Sequence, residues 1–259
     1  MIASINPSMK AFSVLIPGIL LALTYDFFTP LFYLVFILII TFTLSKVSFY
    51  RWIKIFTPFL LIAIGFSWMT MLYTSEEFSG GHVLFEVWRF EVTSGSFETG
   101  VSLGLRSLCF VSLSLLFVLT TDSTKFMLSL MQQCKLPPKI TYGILAGYRF
   151  LPTFQQELQL IRQAHRIRGV ARSKGLRDRI GLFRRYVIPL LANGIRKAER
   201  VALAMESKGF SGESKRTYYH EMKINPRDWL FLFCMVGSLV TIASLSSYFG
   251  FLNIFGKQY

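Results

Sequence analysis

A chain of 259 residues that is 53% hydrophobic, contains 26 Phe and still carries a net charge of +14 is poorly suited to be a soluble globule. It fits an integral membrane protein with a basic region outside the bilayer. The charges are segregated accordingly: residues 122–228 hold 21 Lys/Arg against 8 Asp/Glu, whereas 74–99 hold Glu76, Glu77, Glu86, Glu91 and Glu98 against Arg89 alone.

A membrane-crossing helix needs about 20 largely apolar residues. Windows near 10–28, 30–46, 55–73, 100–121 and 229–252 qualify. The first two are separated only by Thr29-Pro30, close enough to form one hairpin of short helices. Lys10 precedes the first window, and Lys46, Arg51 and Lys54 lie between the second and third. The positive-inside rule then makes the N-terminus cytoplasmic, 74–99 external and 122–228 cytoplasmic, with Tyr259 outside after five crossings. The first window has no small-residue cleavage site and is followed at once by another, so it reads as a span and not a removed signal peptide. The expected division is 1–121 with four spans, 122–228 as a cytoplasmic domain and 229–259 with the last span.

The cytoplasmic region is helical in pattern. Asp122 or Ser123 can cap a short helix through Met131, which Leu136-Pro137-Pro138 breaks. A second helix is expected over 139–168, interrupted at Pro152, with Phe154, Leu158, Ile161, Ala164 and Ile167 on one stripe. A basic linker, 170–179, follows, and a third helix runs to Lys208 with a kink or a start at Pro189. No run of period-two alternation is long enough to argue for a sheet, so the fold class is an all-α integral membrane protein. Two long amphipathic helices with opposed faces are expected to pack together as a platform.

One six-residue frame occurs twice, forty positions apart: Ala164-His165-Arg166-Ile167-Arg168-Gly169 and Ala204-Met205-Glu206-Ser207-Lys208-Gly209. Each sets Ala four residues before a cation, on the same helix face, and Gly directly after it. Gly is a natural helix stop because it adopts the left-handed conformation. Each copy therefore presents a positive charge at a helix tip, suited to an acidic partner. Basic residues before Gly are also an ordinary stop signal favoured by the macrodipole, but two copies of one frame in one region favour docking.

Catalytic chemistry is missing. There is no G-x-x-x-x-G-K-[ST] phosphate loop, since Gly209–Thr217 has Gly212 and Lys215 at the wrong spacing. There is no nucleophile elbow. Cys109, Cys134 and Cys234 are scattered and read as buried inert thiols, and His82, His165 and His220 are isolated, so no metal site or cofactor is expected. Asp26 is the only acid in the predicted spans, too little for an ion-coupled carrier. Arg106, at the start of the fourth span, is expected to snorkel toward the outer headgroups.

Together these residues resemble the transmembrane T component of energy-coupling factor (ECF) transporters. The family's signature, two cytoplasmic motifs ending in Arg-Gly about forty residues apart, is matched by Ile167-Arg168-Gly169 and Ser207-Lys208-Gly209. Asn6-Pro7-Ser8-Met9-Lys10, Thr120-Thr121-Asp122, Leu136-Pro137-Pro138, Arg149-Phe150-Leu151-Pro152 and Ala204-Met205-Glu206 also fit. Lys208 departs from the usual Arg, retaining charge but losing bidentate pairing.

The resemblance implies a scaffold without catalytic residues, whose coupling helices receive movement from two cytoplasmic ATPase subunits. It implies a membrane-embedded, substrate-binding S component that carries a vitamin or metal ion. Ala164, Arg168, Gly169, Ala204, Lys208 and Gly209 would be the ATPase-docking residues. Two other readings are a membrane-anchored assembly protein whose basic domain binds anionic lipid or nucleic acid, and a stand-alone secondary carrier. The Arg166–Arg179 cluster lacks the interleaved aromatics of a nucleic-acid site, so the lipid bilayer is an expected partner and nucleic acid is not.

Overall fold

The computed structural model describes residues 2–45, 47–73, 82–87, 90–169, 175–213 and 217–250. Among the described residues the fold is all-α apart from one pair of strands, and the chain divides into two compact units, 1–129 with 222–259, and 130–221.

The first unit contains α1 (Pro7–Ala22), α2 (Phe28–Leu44), α3 (Phe49–Leu72), α4 (Ser94–Thr120) and α8 (Pro226–Tyr248). α3, α4 and α8 are long and apolar enough to cross a membrane, while α1 and α2 are shorter apolar helices. Helix starts follow capping chemistry. Asn6 Oδ1 accepts from Ser8 N at 3.1 Å ahead of Pro7, and Asn225 and Asp228 form a reciprocal box around Pro226. Thr93 Oγ1 accepts from Ser96 N at 3.2 Å, which starts α4 several residues before the apolar window at 100.

α1 and α2 do not form the expected hairpin. Each packs chiefly on α4 and α8, around a core that includes Leu21, Tyr33, Ile37, Leu113 and Met235. Burial against two distant helices outweighs the proximity that a short connection offers. The closest helix pair is α3 with α4. A Cβ at Gly100 would lie 2.8 Å from the Ser67 carbonyl oxygen, and one at Gly104 would lie 3.0 Å from Ser67 Cβ. This Gly-x-x-x-Gly pair lets the backbones touch, the packing that replaces hydrophobic drive in lipid. The opposite face of α3 is open, with Leu61, Ile62 and Ile64 exposed, as expected beside hydrocarbon.

Two antiparallel strands, β1 (Val83–Val87) and β2 (Phe90–Thr93), pair with Glu86 opposite Glu91. They are too short for period-two patterning to reveal them.

Buried polar groups tie both ends of this unit. At one end Asp26, 1% exposed, accepts from Thr29 N (2.9 Å), Thr29 Oγ1 (2.5 Å) and Ser246 Oγ (2.7 Å). Arg106 does not snorkel. It is 6% exposed, donates to the Thr24 carbonyl and lies 4.6 Å over the Tyr25 ring. The α1–α2 connection supplies a carbonyl and a ring inside the fold, so the guanidinium need not reach the headgroups.

At the other end Asn6 N donates to Asp228 Oδ1 at 3.1 Å, and Ser129 Oγ donates to Asn6 Oδ1 at 2.7 Å. Lys10, expected as a flanking interfacial charge, is 1% exposed and donates to the Thr120 carbonyl at 3.0 Å. It thereby satisfies an orphan acceptor at the negative end of α4. Cys109 is buried as expected, but Cys134 and Cys234 are exposed.

The second unit contains the end of α5 (Ser123–Gln133), with α6 (Pro138–Ile167) and α7 (Leu176–Ser207). Asp122 caps α5 by accepting from Lys125 N at 3.0 Å. Pro152 and Pro189 lie inside continuous helices instead of breaking them: each removes one ladder bond from a helix of 30 and 32 residues. The expected linker to 179 is shorter at its end, because Gly175 caps a helix beginning at Leu176.

Candidate functional site

α6 and α7 pack together, as the opposed apolar stripes predict, and they run antiparallel. Phe154 meets Gly194, whose Cβ position lies 3.2 Å from Phe154 Cζ. Glu157 on α6 pairs with Lys197 on α7. Further along α6, Arg162 lies 5.9 Å over the Tyr186 ring, and the His165 and Tyr186 rings are 5.4 Å apart. Toward the start of α6, Tyr142 meets Phe210 at 5.5 Å. Higher positions on α6 thus meet lower positions on α7. The ion pair is partly buried, its side chains 24% and 19% exposed, and it holds the register together with the aromatic and small-residue contacts.

Both repeats end their helices as the Gly positions suggest. Arg168 is the cap of α6, with its N–H bonded to the Ala164 carbonyl at 3.2 Å and Gly169 N to the Arg166 carbonyl at 3.1 Å. Lys208 is the cap of α7; Gly209 N bonds the Glu206 carbonyl at 2.9 Å and Phe210 N bonds the Met205 carbonyl at 3.0 Å. The last two bonds make a Schellman motif. The glycines have φ of 71° and 81°, which a side chain would strain.

Ala164, Arg168, Gly169, Ala204, Lys208 and Gly209 are all exposed. Neither cation has a described ion-pair partner. The tips are therefore alike in local geometry, but not in placement. With His165 level with Tyr186 and 1.5 Å rise per residue, they stand on the order of 35 Å apart along α7. They differ in sequence neighbours as well: Arg162, His165 and Arg166 precede the first along α6, whereas Glu206 precedes Lys208 on α7.

Beyond the tips the α6/α7 surface is apolar. Tyr148, Leu151, Leu160, Ile188, Leu191, Ile195 and Leu203 are each more than half exposed, an area that a lone soluble domain would not leave open. A groove of ≈600 Å³ between the helices is lined by Gly143, Ala146, Gly147, Ala198 and Ala202 beside Phe150 and Phe154. The sequence reading missed this groove; its signal was the small residues at four-residue spacing on α6 and α7. Among the described residues no group of His, Cys, Asp and Glu is placed to hold a metal ion.

The family model for the cobalt transport protein CbiQ matches residues 1–219. The energy-coupling factor transporter transmembrane protein EcfT of Staphylococcus aureus is 31% identical over 214 residues, covering 79% of this chain and 78% of that protein. The EcfT protein of Exiguobacterium sibiricum is 30% identical over 205 residues, with 75% and 76% covered. That of Macrococcus caseolyticus is 26% identical over 251 residues, with 94% and 93% covered.

Proposed function

The chain belongs to the CbiQ family that includes energy-coupling factor transporter transmembrane proteins, and from that premise we propose that it is the coupling subunit of an ECF-type importer. It crosses the membrane five times, with the N-terminus and 122–228 in the cytoplasm. It has no catalytic residue. Two ATPase subunits supply the energy, and Arg168 and Lys208 each enter an acidic groove on one of them. A separate S component in the membrane captures a vitamin or metal ion, and that chain selects the substrate.

The observation that carries this reading is the placement of two exposed, Gly-terminated cations at opposite ends of one antiparallel helix pair. Two tips on the order of 35 Å apart suit two subunits better than one. A motion of the paired ATPases would then reach both ends of α6/α7 together. The exposed apolar flank of the same helices suits a membrane-embedded partner, so one element would touch both the energy source and the carrier.

The test is capture of the ATPases by affinity-tagged chain, with ATP-driven uptake in vesicles. Substituting Arg168 and Lys208 together by Ala is expected to abolish both while leaving the chain folded in the membrane. Normal assembly and uptake by the double variant would reduce the cations to helix stops.

A further inference from the structure

The end of α8 that begins at Pro226 borders a groove with an apolar floor and a cationic mouth. It has a volume of ≈460 Å³ and lies between α2 and α8 over the N-terminal turn. Ile2, Ile40 and Phe231 form a fixed floor, at 1%, 6% and 6% exposed. Leu44 and Leu230 form an outer wall at 36% and 71%, so the groove opens sideways, where hydrocarbon surrounds the helices.

The mouth lies where α8 leaves the apolar layer. Trp229, 49% exposed in the first turn, sits at the level where indoles favour the headgroup region. Arg227 lines the mouth, is exposed and has no ion-pair partner among the described residues. Its neighbour Asp228 also lines the groove, but is 2% exposed. Its two oxygens accept from the backbone of Asn6 and Asn225 at 3.1 and 2.8 Å. The carboxylate is thus turned to the backbone, and the guanidinium is the free charge.

We propose that this groove seats one acyl chain of an anionic phospholipid, with the lipid phosphate paired to Arg227. A partner helix fits less well: with a diameter of about 10 Å, little more than one turn would occupy this volume. A neutral lipid would fill the floor but leave the cation unmatched. The site does not depend on the ATPase-docking reading, because none of its residues lies on α6 or α7.

The experiment is thermal unfolding of the purified full chain in mild detergent. The added probe is phosphatidylglycerol, phosphatidylcholine of the same chains, or inorganic phosphate. Phosphatidylglycerol is expected to raise the midpoint at lower concentration than phosphatidylcholine, and inorganic phosphate to do nothing. Arg227→Gln should weaken phosphatidylglycerol about fivefold, the worth of one interfacial cation, and so erase its advantage. Arg227→Lys should keep most of it, and the remote Lys54→Gln all of it. Cys234→Trp, at an exposed position lining the groove, should remove the shift from both lipids. Equal responses to the two lipids, a full advantage in Arg227→Gln, or an equal response to bare phosphate would each overturn the site.

Discussion

Arg168 and Lys208 end α6 and α7 at opposite ends of one antiparallel pair, because Glu157 meets Lys197 while His165 meets Tyr186. The forty-residue repeat thus duplicates a helix ending and not a position. A rigid element with a cation at each end can be pushed or turned by two partners together, which a pair of adjacent tips could not achieve.

Membrane orientation is tested by thiol accessibility in a background where the exposed Cys134 and Cys234 are replaced by Ser. A cysteine at Ser94, exposed at the start of α4, is expected to react with an impermeant reagent in intact cells. One at Glu213 is expected to react only after lysis. Equal labelling of both would place the acidic and basic segments on the same side.

The α3–α4 contact depends on missing side chains. Gly100→Ala drives a Cβ to within 2.8 Å of the Ser67 carbonyl and must separate the helices, at a cost of about 1–3 kcal/mol for overpacking. Gly104→Ala meets the Ser67 side chain, with Cβ at 3.0 Å and Oγ at 3.3 Å, and should cost less. Midpoints of thermal unfolding in one detergent decide the order; a Gly104 variant worse than the Gly100 variant would contradict it.

The apolar windows reveal five helices because burial in lipid or core demands them, and Asp122, Asn225 and the two tip glycines mark helix ends through chemistry local to the chain. The fates of Lys10 and Arg106 were not legible. Each meets a carbonyl more than eighty residues away, and a flanking charge looks the same whether it reaches water or a helix end. Pro152 misled for a related reason, and Pro189 marks no helix start, since a long ladder outweighs one missing bond. At the candidate site the caps could be read from Ala-x-x-x-cation-Gly, whereas the antiparallel register could not, because it is set by pairs such as Phe154 and Gly194.

Asp26 closes one end of the membrane unit by accepting three bonds. All three bonds fall on Oδ2, so Asp26→Asn can keep its amide oxygen there and lose little, whereas Asp26→Ala leaves the buried donors on Thr29 and Ser246 without a partner. The expected loss is about 1–3 kcal/mol. Ser246→Ala removes a single donor together with its need for a partner and should cost less. Thermal midpoints of the Asp26→Ala and Ser246→Ala variants check the ranking, and a Ser246→Ala loss equal to that of Asp26→Ala would mean that the carboxylate is not the centre of the knot.

The two tips are expected to contribute unequally to partner capture. Arg168 offers a planar fork preceded along α6 by Arg162, His165 and Arg166, whereas Lys208 offers a point charge preceded on α7 by Glu206. Breaking a buried ion pair from one side costs about 3–5 kcal/mol, because the remaining carboxylate is left uncompensated. Arg168→Ala should therefore weaken ATPase capture strongly, and more than Lys208→Ala, while Arg184→Ala on the exposed surface of α7 changes little. Gly209→Ala separates geometry from charge: it keeps the cation but strains a φ of 81°, at a cost of about 1–3 kcal/mol. It should therefore loosen the tip and lower capture without altering net charge. Gly209→Asn, which tolerates the left-handed conformation better, should recover much of that loss. Capture constants for this set distinguish the possibilities. If Gly209→Ala captures normally while Lys208→Ala fails, the charge alone is recognised and the helix stop is incidental.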